Sequence, residues 1–99
     1  MAWHVVDVST DPPMATFHIA GVDVLVVDLD GAWFAVEDRC SHTDCSFVSD
    51  GEVDGATVIC NCHGSEFDVR TGEVLMPPAI DPIMTFPVRT RRGRIEVEL

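Results

Sequence analysis

Cysteine and histidine occur together twice in this chain, in two short clusters whose side chains could bind a metal centre. Cys40 and His42 have one residue between them, and Cys60 and His63 follow after an insert of seventeen residues. Thiolate and imidazole are ligands that zinc and iron centres use in proteins. A single buried cysteine or histidine is usually a packing residue, but two such pairs in 99 residues favour a site where two separated turns converge.

Two kinds of metal site compete for these residues, and the spacing disfavours both. Zinc sites with two cysteines and two histidines usually pair like with like, about two to five residues apart, whereas each cluster here mixes the types. A four-cysteine iron–sulfur cluster would use Cys40, Cys45, Cys60 and Cys62. Cys40 and Cys45 have the opening spacing of plant-type ferredoxins. The next cysteine of that pattern would fall at Val48, and both histidines would be left without a role.

The two clusters resemble the signature of the Rieske family, which is C-x-H, an insert of about this length, and C-x-x-H. The resemblance continues at Cys40-Ser41-His42, at His63-Gly64-Ser65-Glu66-Phe67-Asp68, at Arg70-Thr71-Gly72 and at Pro77-Pro78, where the family has a proline-containing loop near the cluster. It implies that Cys40 and Cys60 bind one iron of a single 2Fe-2S cluster, and that His42 and His63 bind the other. It also implies a Rieske fold with an inserted cluster-binding subdomain, formed by two loops, at about residues 38–80.

The mixed ligand set has a chemical consequence that can be worked out from charge. Two ferric ions, two sulfides and two thiolates sum to zero, whereas four thiolates leave the oxidised cluster at −2, so the mixed cluster accepts an electron more easily. Rieske centres accordingly have potentials of about −150 to +300 mV, against about −400 mV for plant-type clusters. The imidazole nitrogen that faces away from iron can lose a proton, so the potential is expected to fall at alkaline pH.

The resemblance also assigns roles to residues beside the ligands. Cys45 and Cys62 stand where Rieske proteins of the cytochrome bc complexes have a disulfide, although two packed thiols remain the alternative. Ser65 matches a serine that donates a hydrogen bond to a cluster sulfide. Phe67 stands where those proteins have a tyrosine that donates to a ligating thiolate, so one donor is missing. Asp44 adds negative charge, which opposes reduction. We therefore expect a potential below that of the cytochrome bc type.

Short β-favouring runs separated by turns must position these clusters. Residues 22–29 and 32–36 flank Asp30-Gly31 and predict a hairpin, because both turn residues tolerate positive φ. Residues 94–99 alternate apolar and acidic side chains, as in a strand with one face in water. Further strands are predicted at residues 58–60, 67–69 and 84–89, and further turns at Asp50-Gly51, Asp54-Gly55 and Arg91-Arg92-Gly93. No helical period and no linker are evident, so we expect a single all-β domain over residues 1–99, an antiparallel sandwich or small open barrel.

Charge and hydropathy limit the partners and the location of the protein. Seventeen Asp and Glu against six Arg give a net charge of −11, which repels phosphate backbones and anionic headgroups and disfavours nucleic acid and membrane surfaces. The longest stretch without a charged residue is eleven residues, too short for a membrane span of about 20. The N-terminus does not look like an export signal, so we expect a cytoplasmic protein. Four arginines lie between Arg89 and Arg94, which predicts a solvated hairpin more strongly than a docking site for an acidic partner.

The expected function is electron transfer without catalysis. Rieske oxygenases activate oxygen at a separate iron held by two histidines and a carboxylate, but only His4 and His18 remain here. The resemblance implies a monomeric Rieske ferredoxin of an aromatic ring-hydroxylating dioxygenase system. It would carry single electrons from an NAD(P)H-dependent flavoprotein reductase to a terminal oxygenase through transient contacts. Two alternatives stay open: a small subunit of an NAD(P)H nitrite reductase, which often lacks the ligands, and a zinc-stabilised interaction module.

Overall fold

The chain folds into three antiparallel sheets, as seen in a computed structural model that describes residues 2–7, 14–41 and 45–99. The strands are β1 (Trp3–Val6), β2 (Met14–Ile19), β3 (Val22–Leu29), β4 (Ala32–Glu37), β5 (Gly51–Asp54), β6 (Thr57–Cys60), β7 (Glu66–Asp68), β8 (Val74–Met76), β9 (Thr85–Phe86), β10 (Val88–Arg91) and β11 (Arg94–Glu98), and the helix is α1 (Phe47–Asp50). The sheet orders are β1-β11-β10, β2-β3-β4-β9 and β5-β6-β7-β8. The predicted all-β antiparallel architecture is confirmed. No helix among the described residues is long and apolar enough to cross a membrane.

The sheet β2-β3-β4-β9 lies between two hydrophobic cores and contributes to both. Successive side chains of a strand point to opposite faces. Val24 and Val26 of β3 accordingly pack with Ile95 and Val97 of β11 in one core. Leu25 and Val27 point the other way, into a core that also contains Cys40, Cys60, Phe47 and Phe67. This central sheet therefore separates the β1-β11-β10 sheet from the two cysteines.

The hairpin predicted around Asp30-Gly31 is confirmed. Asp30 and Gly31 have φ values of 54° and 92°, and Leu29 pairs with Ala32 across them. Asp28 stabilises the turn by accepting a hydrogen bond of 2.7 Å from the backbone N–H of Gly31. Two positive φ values give the turn the twist that an antiparallel hairpin needs.

The turn predicted at Asp50-Gly51 is wrong. Gly51 has a φ of −146° and begins β5, while Asp50 ends the short helix α1, which the sequence patterns did not predict. Glycine is needed for a different reason, since a Cβ atom at this position would collide with the carbonyl oxygen of Ile59 on β6. The next turn lies at Gly55-Ala56, one residue later than predicted, because Asp54 already pairs with Thr57.

The strand predicted at residues 84–89 is divided in two at Pro87. β9 pairs with β4 in the central sheet, whereas β10 pairs with β11. Proline has no N–H to donate to a ladder, and the carbonyl of Pro87 instead accepts the N–H of Glu98 at 2.9 Å. The chain therefore changes sheets at this residue. The β10–β11 hairpin itself is confirmed, with Arg92 and Gly93 in its turn.

Candidate metal centre

Two segments with equivalent backbone closures carry the candidate ligands. In the first cysteine segment (residues 40–45), the N–H of Cys40 donates to the carbonyl of Cys45 at 3.0 Å. In the second cysteine segment (residues 60–65), the N–H of Cys60 donates to the carbonyl of Ser65 at 2.8 Å. Gly64 has a φ of 83°, which lets its N–H return to the carbonyl of Cys60 at 2.8 Å. The second segment thus closes onto Cys60, the last residue of β6, and the first has the matching bond between Cys40 and Cys45.

The free thiols of Cys40 and Cys60 face each other in the protein interior. Each residue is only 1% exposed, and neither takes part in a disulfide. Burial raises the pKa of the Cys60 thiol, and contact with the Cys40 thiol raises it further, while hydrogen bonds from the N–H groups of Cys62 and His63 lower it. Two adjacent buried sulfurs, one of them facing N–H donors, fit thiolate ligation of a single iron. Ligation would replace the proton that this environment otherwise retains on the Cys60 thiol.

Cys45 and Cys62 form a disulfide that joins the two cysteine segments, with a Cα–Cα distance of 6.7 Å. The bridge implied by the resemblance is therefore confirmed. The sulfurs of Cys45, Cys60 and Cys62 all lie within 4.8 Å of one another, so proximity alone would group these three as metal ligands. Chemistry argues against that grouping, because a metal binds the thiolate form of cysteine and disulfide sulfurs are not thiolates. The four-cysteine cluster is excluded for the same reason.

Of the two histidines proposed as ligands, the structure describes His63. His63 is exposed, in the turn that directly follows β6. His42 and Asp44 lie outside the described residues, so their predicted roles stay predictions. The second segment thus places an imidazole at the surface, directly after the disulfide cysteine Cys62 and three residues after the buried Cys60.

A proline segment (residues 77–81) contacts both cysteine segments. Ser65 is fully buried, and its Oγ accepts the backbone N–H of Ala79 at 3.0 Å. Ser41, next to Cys40, donates its hydroxyl to the carbonyl of Asp81 at 2.5 Å. Pro77 and Pro78 are exposed at the start of this segment and are joined by a cis peptide bond. The paired prolines therefore begin the third segment of the site, beside the two that carry cysteines.

Phe67 is part of the wall behind the thiols. It is fully buried in the same core as Cys40 and Cys60. Its ring meets that of Phe47 edge to face, with centroids 5.7 Å apart and planes at 73°. This wall is apolar, so the phenylalanine at position 67 supplies bulk without a hydroxyl donor.

The turn after β7 is held by polar contacts on its surface and by a glycine beneath it. Arg70 donates to both carboxylate oxygens of Asp68 at 3.1 Å, and these bonds hold the pKa of Asp68 below its ordinary value. Gly72 has a φ of 79°, and a Cβ atom there would collide with the carbonyl of Ile83. The Arg-Thr-Gly run at residues 70–72 therefore stabilises the conformation of this turn.

Asp38 is a residue of the site that the sequence reasoning missed. It lies two residues before Cys40, the first residue of the first cysteine segment, and is 4% exposed. Its carboxylate accepts hydrogen bonds from Thr16, Ser46, Phe47 and Val48. The donors are eight or more residues away in sequence, so no local capping spacing could have identified them.

Comparisons with known proteins agree with this site. Residues 1–87 match the family described as the Rieske [2Fe-2S] domain. The chain is 45% identical over 76 residues to the 3-phenylpropionate/cinnamic acid dioxygenase ferredoxin subunit of Photorhabdus laumondii, covering 76% of this chain and 71% of the relative. It is 35% identical over 92 residues to the subunit of the same name in Escherichia coli K12, covering 93% and 77%.

A solved structure gives the same result for the fold. The structure described as the complex of reduced oxygenase and oxidised ferredoxin in carbazole 1,9a-dioxygenase contains a chain that superposes with a TM-score of 0.87. The two sequences are 29% identical, and the alignment covers 96% of this chain and 91% of the other. Together with the buried thiol pair, these matches show that the chain belongs to the Rieske [2Fe-2S] domain family and that its cofactor is one Rieske cluster.

Proposed function

We propose that this chain is the one-electron carrier of a ring-hydroxylating dioxygenase system, taking electrons from an NAD(P)H-dependent flavoprotein reductase and giving them to a terminal oxygenase. The relatives are named as ferredoxin subunits of such dioxygenases, and ferredoxins of this kind are electron-transfer components. The structural observation that carries the proposal is the pair of buried free thiols, Cys40 and Cys60, held beside an exposed histidine.

Four residues are assigned as ligands in this proposal. Cys40 and Cys60 hold one iron, and His42 and His63 hold the other. When bound, a Rieske cluster supplies a single-electron couple whose potential depends on hydrogen bonds to its sulfurs and on its exposure to solvent. The chain's own part is to keep the two sulfurs away from water while the imidazole of His63 stays at the surface, where a partner can approach it. Residues 38–80 serve as the cluster-binding subdomain of a single domain.

Partner binding is expected to be brief and aided by charge. Complex formation between a ferredoxin and an oxygenase is known for the carbazole dioxygenase system, and we extend it to this chain. The net charge of −11 steers the protein toward basic surfaces and away from nucleic acid and anionic membranes. The proline segment adds an apolar contact, since Ile80 is 87% exposed. We place the protein in the cytoplasm as a monomer.

The two alternative functions have weaker support. A zinc-stabilised module would leave the family match to a 2Fe-2S domain unexplained. The small subunit of a nitrite reductase shares the fold in outline, but the two relatives above are dioxygenase subunits. Such subunits often lack cluster ligands, whereas the proposed ligands Cys40 and Cys60 are present and buried here.

The function is tested by reconstitution. Anaerobically purified protein should be red-brown, contain two irons and two sulfides per chain, and give a paramagnetic resonance signal of low average g only after reduction. NADH oxidation by a flavoprotein reductase should then drive substrate hydroxylation by a terminal oxygenase only when this chain is added. A colourless protein with one zinc, or reduced protein that no oxygenase reoxidises, would contradict the proposal.

Adding a hydroxyl at position 67 is expected to raise the reduction potential. Phe67→Tyr would supply the donor that the cytochrome bc type has, and a hydrogen bond worth about 0.5 to 1.5 kcal/mol corresponds to about 20 to 65 mV. Protein-film voltammetry measures the midpoint. Phe47→Tyr is the matched control, because Phe47 is equally buried and packs against the same ring. An equal shift in both variants, or none at position 67, would show that the missing hydroxyl does not set the potential.

A further inference from the structure

The carboxylate of Asp38 lies at the base of the first cysteine segment, where it gathers four donors. Oδ1 accepts the backbone N–H groups of Phe47 at 2.7 Å and Val48 at 3.2 Å. Oδ2 accepts the hydroxyls of Ser46 at 2.5 Å and Thr16 at 2.7 Å. The residue is almost completely buried, and hydrogen bonds to a buried charged acceptor are stronger than those between neutral groups.

Three of the four donors lie on the far side of the first cysteine segment. Asp38 precedes the segment, while Ser46, Phe47 and Val48 follow it. The carboxylate therefore ties together the two ends of the chain that enters and leaves the segment. We call Asp38 and these three donors the Asp38 clasp. Cys40 is only two residues from Asp38, so the clasp restrains the backbone that carries the Cys40 thiol.

Other contacts of Asp38 attach this clasp to the central sheet. Its backbone N–H donates to the carbonyl of Asp23 on β3 at 2.8 Å, and Thr16 belongs to β2. The ends of the segment are thus anchored to the sheet whose other side chains pack around Cys40 and Cys60. The disulfide joins the first cysteine segment to the second one at Cys45. The first segment is therefore held by hydrogen bonds to Asp38 at its base and by a covalent bond at Cys45.

We propose that Asp38 is the positioning residue of the first cysteine segment, holding the Cys40 thiol buried against that of Cys60. Its relevance to the cluster rests on the proposed ligand role of Cys40, but the positioning itself can be measured without iron. Removing the carboxylate leaves two backbone N–H groups and two hydroxyls without their acceptor. The segment then opens from its base, and Cys40 becomes accessible more often than Cys60.

The test is alkylation of cluster-free protein with the disulfide intact, with labelling at Cys40 and Cys60 quantified separately by mass spectrometry. Asp38→Ala is expected to increase the ratio of Cys40 to Cys60 labelling about tenfold. Asp38→Asn should stay within about threefold of the wild type, because its amide retains one acceptor and both hydroxyls can accept from its NH₂ group. Thr16→Val is the matched control. It removes one hydrogen bond to the same carboxylate but leaves the bonds from Ser46, Phe47 and Val48 in place.

The ratio separates positioning from general stability, because global unfolding exposes both thiols together. An unchanged ratio in Asp38→Ala, or an equal change in Thr16→Val, would overturn the proposal. If Asp38→Ala does not fold, Ser46→Ala removes a single clasp bond and should raise the ratio about threefold; no rise there also overturns it. In loaded protein, Asp38→Ala should lose iron to a chelator about tenfold faster than Thr16→Val does. Wild-type protein that never binds iron would refute the proposed function while leaving the labelling result intact.

Discussion

Replacing Cys60 with serine is expected to give a folded chain that keeps less than about a tenth of the wild-type iron and sulfide. The Cys60 sulfur is buried, touches the Cys40 thiol and faces the N–H groups of Cys62 and His63. A serine hydroxyl is nearly the same size but holds its proton far more tightly than a thiol, and iron–sulfur clusters select soft thiolate ligands. Iron and sulfide assays, visible absorption and far-ultraviolet circular dichroism together measure cluster content and folding.

The matched control for this prediction is the double variant Cys45→Ser with Cys62→Ser. It removes two sulfurs that lie within 4.8 Å of Cys60, yet it leaves the proposed ligands in place. This protein should still bind iron and sulfide when reconstituted anaerobically. Cluster retained in Cys60→Ser but lost in the double variant would mean that the disulfide cysteines are the ligands, and the assignment of Cys40 and Cys60 would be wrong.

The same double variant is expected to be about 3 kcal/mol less stable than the wild type. The disulfide links residues seventeen positions apart, and closing a loop of about this size restricts the unfolded chain by roughly that amount. For a domain of about 100 residues, 1 kcal/mol corresponds to about 4 to 8 °C in Tm, so a decrease of about 12 to 24 °C is expected. Thermal unfolding followed by circular dichroism, on samples of equal iron content, measures it.

Reduction of the wild-type protein provides the control for this second prediction. After treatment with a dithiol reductant under argon, its Tm should approach that of the double variant, while the double variant itself should not respond. A decrease below about 4 °C in the variant would show that the two segments are held together by their other contacts, such as those of the proline segment.

The parts of the structure that the sequence predicts well are those encoded by neighbouring residues. Asp30-Gly31 predicts its hairpin because the turn depends on two backbone conformations that these residue types tolerate. The determining interaction lies within a few residues of the pattern. The mixed Cys and His clusters indicated their chemistry through the family resemblance, and the ligand role of His42 stays a prediction.

Features that depend on distant residues were missed, misjudged or predicted only through the family resemblance. Asp50-Gly51 has the composition of a turn, but the glycine is needed for the close approach of Ile59 on another strand. The role of Asp38 depends on donors that only the folded chain brings to it. The Cys45–Cys62 bridge could be predicted only from the family resemblance, because cysteines seventeen residues apart have no local signal for pairing.

Because the central sheet is buried on both faces, it divides the protein into two sides with separate cores. Val24 and Val26 serve one core and Leu25 and Val27 the other, so the hairpin that turns at Arg92-Gly93 packs in a different core from the cysteines. An electrode tether or a fused reductase inserted at that hairpin would be insulated from the redox centre by a full layer of packed β-structure. Such an attachment would not cover the exposed His63, so a partner protein could still approach the cluster while the chain is joined to an electrode or a reductase.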